Sequence, residues 1–264
     1  MQERSFIQSA SYLSYGWRLV RTPGLRRFVW MPLLVNILIF GALGWWINAW
    51  ASSWLDSLAL FSQWGDWWII RMVQNVLHWL VSIVLFFSLA YVFTLLANLI
   101  GAPFNGLLAE RVEAHLLGHS TTAAPSVMEL IKTVPRLMWS EISKLVYLLI
   151  CIIPLLVLQF VPLINLVAPF LLFLFAAWMF SLEYLDYPMG NNGAVFRDVR
   201  RSLRKRRRVA FGFGTAVAVF STIPIVNLFI MPVAVAGATA LYVDSVRDDF
   251  LADRNKASLR TPRA

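Results

Sequence analysis

Arg26 and Arg27 stand side by side in the stretch RTPGLRRFVWMPLLVN, Arg21 to Asn36, directly against a long apolar run. A guanidinium can hold two oxygens of an oxyanion at once. Pro23 sits where a helix can start, since its missing N–H would be unpaired there anyway, and Gly24 permits close approach to the backbone. The first amides of a helix are free donors at the positive end of its dipole. Gly24 and Leu25 can therefore offer N–H groups beside the forks of Arg26 and Arg27, a donor set that suits a tetrahedral oxyanion. The same arginines also fit membrane-surface anchors whose charged ends reach back to the headgroups, and the segment alone leaves both readings open.

Two further constellations carry polar groups at the edge of apolar sequence. NLIGAPFNGLLAERVEAHLLG, Asn98 to Gly118, places Asn98, Asn105, Glu110, Arg111 and Glu113 after an apolar run. Gly101 and Pro103 are expected to break the helix there, and broken helices in transporters often line a pathway. The alternative is a helix that turns a corner at the interface with solvated charges. SLEYLDYPMGNN, Ser181 to Asn192, puts Glu183 and Asp186 between an apolar arm and a basic run. Salt bridges to that run are the expected role, and proton coupling is the alternative.

Several chemistries lack their residues. No G-x-x-x-x-G-K-[ST] loop is present, which argues against ATP hydrolysis by this chain. No G-x-S-x-G elbow or H-E-x-x-H pair occurs. The single cysteine, Cys151, lies in an apolar run, and His78, His115 and His119 have no metal-ligand spacing. We expect no enzyme, no cofactor and no metal site.

The elements that must position these groups are written in the composition. The chain has 264 residues, 59% hydrophobic and only 14% charged, with a mean hydropathy of +0.67. Soluble domains run about 45–50% apolar and about 25% charged, so this is an integral membrane protein. The net charge of +9 lies beside apolar runs, which favours anionic headgroups or a small anion over nucleic acid. Residues 28–50 and 76–102 read as two full transmembrane helices. Eight of the twelve tryptophans fall between Trp45 and Trp79, an interfacial belt joining them.

The C-terminal half carries a short internal repeat. FVPLINL, Phe160 to Leu166, and TIPIVNL, Thr222 to Leu228, each interrupt an apolar region, and Pro169 and Pro232 follow in turn. The flanking arms hold roughly 14–18 residues, below the roughly 20 needed to cross. Residues 144–187 and 209–243 are therefore expected to form two re-entrant helical hairpins with Asn165 and Asn227 at their tips. Four short tilted spans are the alternative. Residues 1–22 form an interfacial helix with Phe6, Ala10, Leu13, Trp17 and Val20 on one apolar face. Ser126 and Glu129 make a capping box for a helix that Pro135 should bend. Residues 194–208 form a basic amphipathic helix, and 244–264 a tail. Basic residues cluster in the N-terminal segment, in Arg197 to Arg208 and in the tail, so the positive-inside bias sets both termini in the cytoplasm.

The segments PGLRRFVWMPLLVN, APFNGLLAERVEA, LEYLDYP and IPIVNLFIMPVAVAGATALYVD together resemble the CysZ sulfate permeases of bacterial inner membranes. Matched in the same order, they span roughly residues 5–250. The resemblance implies two long transmembrane helices plus two hemi-penetrating hairpins. It implies sulfate uptake for sulfate assimilation and cysteine biosynthesis, by a homo-oligomer in the inner membrane with no ATPase partner. Carried over by position, it puts Gly24, Leu25, Arg26 and Arg27 at the sulfate. The expected protein is thus an all-α sulfate permease. Asn98, Asn105, Glu110, Asn165 and Asn227 are candidates to line its route, and bilayer lipid and sulfate are its partners. A non-transporting membrane scaffold or a less selective anion channel are the alternatives.

Overall fold

The computed structural model describes residues 5–31, 34–35, 37–39, 41–42, 45, 68–118 and 127–260. Every element among them is helical: α1 (Phe6–Leu19), α2 (Trp68–Leu117), α3 (Val127–Leu158), α4 (Ala168–Asn191), α5 (Phe196–Lys205), α6 (Arg207–Ser221), α7 (Pro224–Ser245) and α8 (Arg247–Arg260). The chain divides into two compact units, one of residues 1–29 and 105–264 and the other of residues 30–104. In the second unit the described side chains expose apolar groups. Trp68, Met72, Val76, Trp79, Ile83, Phe87 and Tyr91 recur every three or four residues along α2, one helix face that suits lipid or another subunit rather than water. Residues 46–67 of the Trp-rich belt and Ser126 of the capping box lie outside the described residues.

The core of the first unit is built on α1. Ser5 caps it, accepting from the Gln8 amide while the Gln8 side chain accepts from the Ser5 amide. The face that α1 buries is Ser9, Tyr12, Leu13, Gly16 and Leu19. This corrects the expected apolar face in part: Leu13 and Val20 are buried as expected, but Phe6 and Trp17 are exposed. The reason is contact distance. A Cβ on Gly16 would lie 2.2 Å from the Val233 carbonyl oxygen, and one on Gly237 2.5 Å from that of Tyr12. The α1 and α7 backbones touch through small residues, as membrane helices do where lipid removes the hydrophobic drive. Thus α1 belongs to the core, packed most extensively on α7 and α6, while α4 packs on α6.

The arms of the first hairpin are longer than expected. Trp139–Leu158 and Ala168–Asn191 hold 20 and 24 residues with mean hydropathies of 2.3 and 1.6, long and apolar enough to cross a membrane. The helices run on past the strictly apolar region to Trp139 on one side and Asn191 on the other, which a count of apolar residues alone leaves out. The turn between them runs Gln159 to Val167, with a short 3-10 helix at Ile164–Leu166. It leaves Phe160 88% and Leu163 82% exposed. In the second hairpin α6 has 15 residues and α7 has 22. The two repeats are used differently. Pro224 opens α7, and the Asn227 amide closes its first turn on the Ile223 carbonyl, 2.8 Å away. Pro162 and Asn165 instead stay in the turn, and Pro169 takes the helix-opening role in α4.

The basic helix ends earlier than its charge run. α5 buries Phe196, Val199 and Leu203 on one face. Arg206 then leaves helical geometry (φ −128°, ψ 51°), so Arg207 and Arg208 begin α6. The tail folds back as α8. Its Phe250 is buried, Lys205 pairs with Asp253 at 2.7 Å, and Arg206 pairs with Asp249. Solvent screens pairs this exposed, and they add little to stability, so the buried Phe250 is the firmer anchor.

A side chain at Gly214 would put its Cβ 1.8 Å from the Ala177 carbonyl oxygen, whereas Gly190 has open space around it. Gly214→Ala should therefore destabilise the purified protein by about 1–3 kcal/mol, and Gly190→Ala by less than about 0.5 kcal/mol. Thermal unfolding in detergent measures both, and equal losses would refute the close α4–α6 approach.

Candidate functional site

The Gly24–Arg27 corner hangs from the end of α1. Leu19, Val20, Leu25 and Val29 are buried in the core, and they clamp the chain on both sides of a turn that faces outward. Gly24 has φ +92°, a left-handed conformation that side chains rarely adopt. Nothing stands within 4 Å of where its Cβ would be, so glycine is required here by the turn and not by crowding. The helix starts at Arg27 and not at Pro23, which lies within the turn. The amides of Leu25 and Arg26 both donate to the Thr22 carbonyl, at 3.2 and 3.3 Å. The Leu25 amide is thus not the free donor expected, because a tight turn consumes it. Gly24 keeps an amide with no partner among the described residues.

Arg26 and Arg27 are both exposed, and neither has a carboxylate partner among the described residues. The Arg27 guanidinium lies 5.0 Å from the centroid of the Phe28 ring, and that of Arg111 lies 6.0 Å from the same centroid. Phe28 therefore gathers a third guanidinium to the corner through cation–π attraction. Sequence spacing could not find this, because Arg111 is more than eighty positions away; its only sequence signal was a lone arginine at a membrane boundary.

The other candidates are placed less closely. Gly101 and Pro103 do not break the helix, since α2 runs unbroken through both. Pro103 removes one backbone bond, which a helix of 50 residues absorbs without ending. The Asn98 side chain lies outside the described residues. Asn105 is buried, 5% exposed, and Glu110 is half-buried. Asn165 and Asn227 are exposed at their turns, and among the described residues no hydrogen bond or ion pair joins their side chains to Arg26, Arg27 or Arg111.

Polar seams hold the corner's supports together. The Asn191 side chain donates to the Gly106 carbonyl at 2.8 Å, and that of Asn192 donates to Glu113 at 2.9 and 3.1 Å. Arg247 approaches Glu113 at 3.5 Å. Burial raises the Glu113 carboxyl above its ordinary value, and Asn192 and Arg247 draw it back. The end of α2 is thereby tied to the end of α4 and the start of α8. A second seam surrounds Lys144, whose side chain is 9% exposed. Its ammonium meets Asp186 at 2.9 Å, Glu141 at 3.0 Å and Glu183 at 3.2 Å. Glu183 and Asp186 thus pair with a lysine on α3 and not with the basic run, because α4 presents them to the facing arm of their own hairpin. The arginine run itself meets α8 through Lys205 and Arg206.

Comparison with known proteins covers most of the chain. The model of a family described as sulfate transporter CysZ/etoposide-induced protein 2.4 matches residues 12–232. The proteins named sulfate transporter CysZ from Salmonella paratyphi A and Salmonella typhi are each 45% identical over 239 residues, 89% of this chain and 92% of theirs. That of Salmonella typhimurium is 44% identical over the same shares.

Lys144 is a lone cation among three carboxylates. Lys144→Ala leaves Asp186 buried without its counter-charge and should cost about 3–5 kcal/mol. Adding Asp186→Asn should restore part of that loss. Chemical or thermal unfolding of the three proteins checks it, and a Lys144→Ala protein as stable as the parent would mean the pair contributes nothing.

Proposed function

The chain belongs to the sulfate transporter CysZ/etoposide-induced protein 2.4 family, and from that premise we propose that it passes sulfate across the bacterial inner membrane without hydrolysing ATP. The observation that carries the reading is the outward corner where Arg26 and Arg27 stand without carboxylate partners among the described residues. Sulfate is a doubly charged, strongly hydrated ion, and its entry into low dielectric is very costly unless fixed donors or water replace its shell. Arg26 and Arg27 supply guanidinium forks, the Gly24 amide supplies a neutral donor, and Arg111 adds positive potential across the Phe28 ring. Leu25 takes part by anchoring the turn in the core.

Passage follows a wet, protein-lined route that binds the anion weakly enough to release it. Asn98, Asn105, Asn165 and Asn227 are neutral amides able to exchange for water around sulfate. Glu110 repels a dianion and so favours its departure from the neighbouring Arg111. The two hairpins, α3–α4 and α6–α7, enter the bilayer with their tips turned into it. The support is the first tip itself, which exposes Phe160, Leu163 and Leu166 and would be poorly placed in water. Almost none of Trp139–Leu158 is buried within the chain, and this face together with that of α2 is available to lipid and to further copies. We take the working form to be a homo-oligomer, with both termini in the cytoplasm by the charge bias, serving sulfate assimilation and cysteine biosynthesis.

Titration of purified protein with sulfate, chloride and phosphate tests the binding step. Each charge-assisted hydrogen bond lost is worth about 1.5–3 kcal/mol, so Arg26→Ala/Arg27→Ala should weaken sulfate binding by at least about a hundredfold. Uptake of labelled sulfate into proteoliposomes should fall with it. Unchanged uptake would remove the corner from the route, and equal binding of chloride would favour a less selective anion channel. Gly24→Ala forces a side chain into the left-handed region at a cost of about 1 kcal/mol. It should lower sulfate affinity several-fold while leaving the thermal midpoint within a few degrees of the parent.

A further inference from the structure

A second concentration of positive charge lies away from the Gly24–Arg27 corner. One face of α1 from Ser5 to Arg18, the α5–α6 joint and the α7–α8 joint enclose an open cavity of about 1420 Å³. Six basic side chains line it, Arg18 and the run Arg204 to Arg208, against two aspartates. Both aspartates are engaged. Asp244 accepts from the Tyr12 hydroxyl at 2.7 Å, and Asp249 pairs with Arg206. Lys205 is spoken for by Asp253. Arg204 and Arg207 have no carboxylate partner among the described residues, and Arg18 faces only the Tyr15 ring, 5.4 Å away.

Two features make this more than a solvated charge run. The cations arrive from separate elements and are gathered around one concavity, where their fields add and their mutual repulsion destabilises the empty state. The wall also offers neutral donors. Helix α6 starts at Arg207 with no side chain capping its first amides, so its positive end opens here. The Ser245 hydroxyl, also on the wall, is buried with no hydrogen-bond partner. Forks, free amides and an unused hydroxyl are the donor set for an anion with several oxygens and more than one charge.

We propose that this cavity is a second anion site, separate from the sulfate corner, that takes a phosphate-bearing group of at least two negative charges. That group comes either from an anionic phospholipid headgroup or from a soluble organic phosphate. The cavity volume exceeds what a bare sulfate needs and admits a diphosphate or the head of a two-phosphate lipid. Basic pockets between helices on the cytoplasmic side of membrane proteins recognise such headgroups.

The test uses the full chain purified in neutral detergent. One arm titrates inorganic pyrophosphate by calorimetry. The other adds cardiolipin or phosphatidylcholine in mixed micelles and reads thermal stabilisation. Arg204→Ala/Arg207→Ala should weaken the binding by about a hundredfold, roughly tenfold or more for each charge-assisted contact. Arg26→Ala/Arg27→Ala and the exposed control Arg201→Ala should leave it unchanged. Both arginines are exposed, so the double variant keeps its fold, which its unchanged sulfate affinity would verify. Stabilisation by cardiolipin over phosphatidylcholine with no pyrophosphate response identifies the lipid source, and the converse identifies the soluble one. The proposal is overturned if neither probe binds, or if binding survives in the Arg204→Ala/Arg207→Ala protein.

Discussion

The close backbone approach of α1 to α7 is the contact on which the rest of the first unit depends. Gly16 and Gly237 are reciprocal. Each would drive a Cβ to 2.6 Å or less from backbone of the other helix or its carbonyls, so neither helix can shift without the other. With lipid outside, little is gained by burying leucine against leucine, and packing of small residues has to supply the association. That is why the core segment reads Ala234, Val235, Ala236, Gly237, Ala238, Thr239, Ala240, with its large side chains held back to Leu241 and Tyr242. The fixed end of α1 carries Leu19 and Val20 into the core, the chain returns through Leu25 and Val29, and the turn between has one direction left to face. The outward guanidinium pair is a consequence of a glycine contact one helical turn and more away.

Polar seams do a different job. Lys144, Glu113 and their partners sit where helices meet, and ionic groups so placed contribute little net stability over well-packed apolar ones. They do oppose wrong arrangements. A rotation of α3 by one residue would leave Lys144 in apolar surroundings and Asp186 without a counter-charge. The seam therefore selects the pairing of α3 with α4 among several that the apolar arms would tolerate. The Asn192–Glu113–Arg247 knot plays the same part for α2, α4 and α8, and it holds Arg111 two residues from a fixed point. A guanidinium that must meet an anion benefits from such preorganisation, since less freedom is lost on binding.

Much of this was legible in the chain, and the failures have identifiable causes. Composition and hydropathy specified a helical membrane protein, and the resemblance specified the family, because long ordered motifs survive in it. The N-terminal helix was legible in extent but not in orientation. Its hydrophobic period pointed to Phe6, Ala10, Leu13, Trp17 and Val20; Leu13 and Val20 are buried, but the rest of the buried face is Ser9, Tyr12, Gly16 and Leu19. A scale that rewards large apolar residues misses an interface made of small ones. The turn at Gly24 was visible from Pro23 and Gly24, yet the helix start was set four residues early, and one amide counted as free is bonded to Thr22. The helix break at Gly101 and Pro103 did not occur, since a long apolar helix tolerates a single lost bond. Arg111 beside Phe28 was invisible because no local pattern encodes a cation–π contact between distant segments.

On the proposed reading, the exposure of the corner suits a permease. A buried site with several unpaired arginines would hold sulfate tightly, as binding proteins do, and would release it slowly. At an exposed corner the solvent screens each guanidinium, and the Debye length of about 8 Å at physiological ionic strength limits its reach. Affinity is then set by how many donors converge rather than by any one of them. A glycine amide, two exposed forks and a third cation across an aromatic ring form such a graded set. If sulfate binds there as proposed, each donor contributes modestly, and the ion can leave stepwise as water replaces one donor at a time. The turn geometry is therefore better conserved in energy terms by glycine than by any tighter cage. A side chain at position 24 would strain the turn, and a carboxylate within reach of Arg26 or Arg27 would occupy the forks that the anion needs.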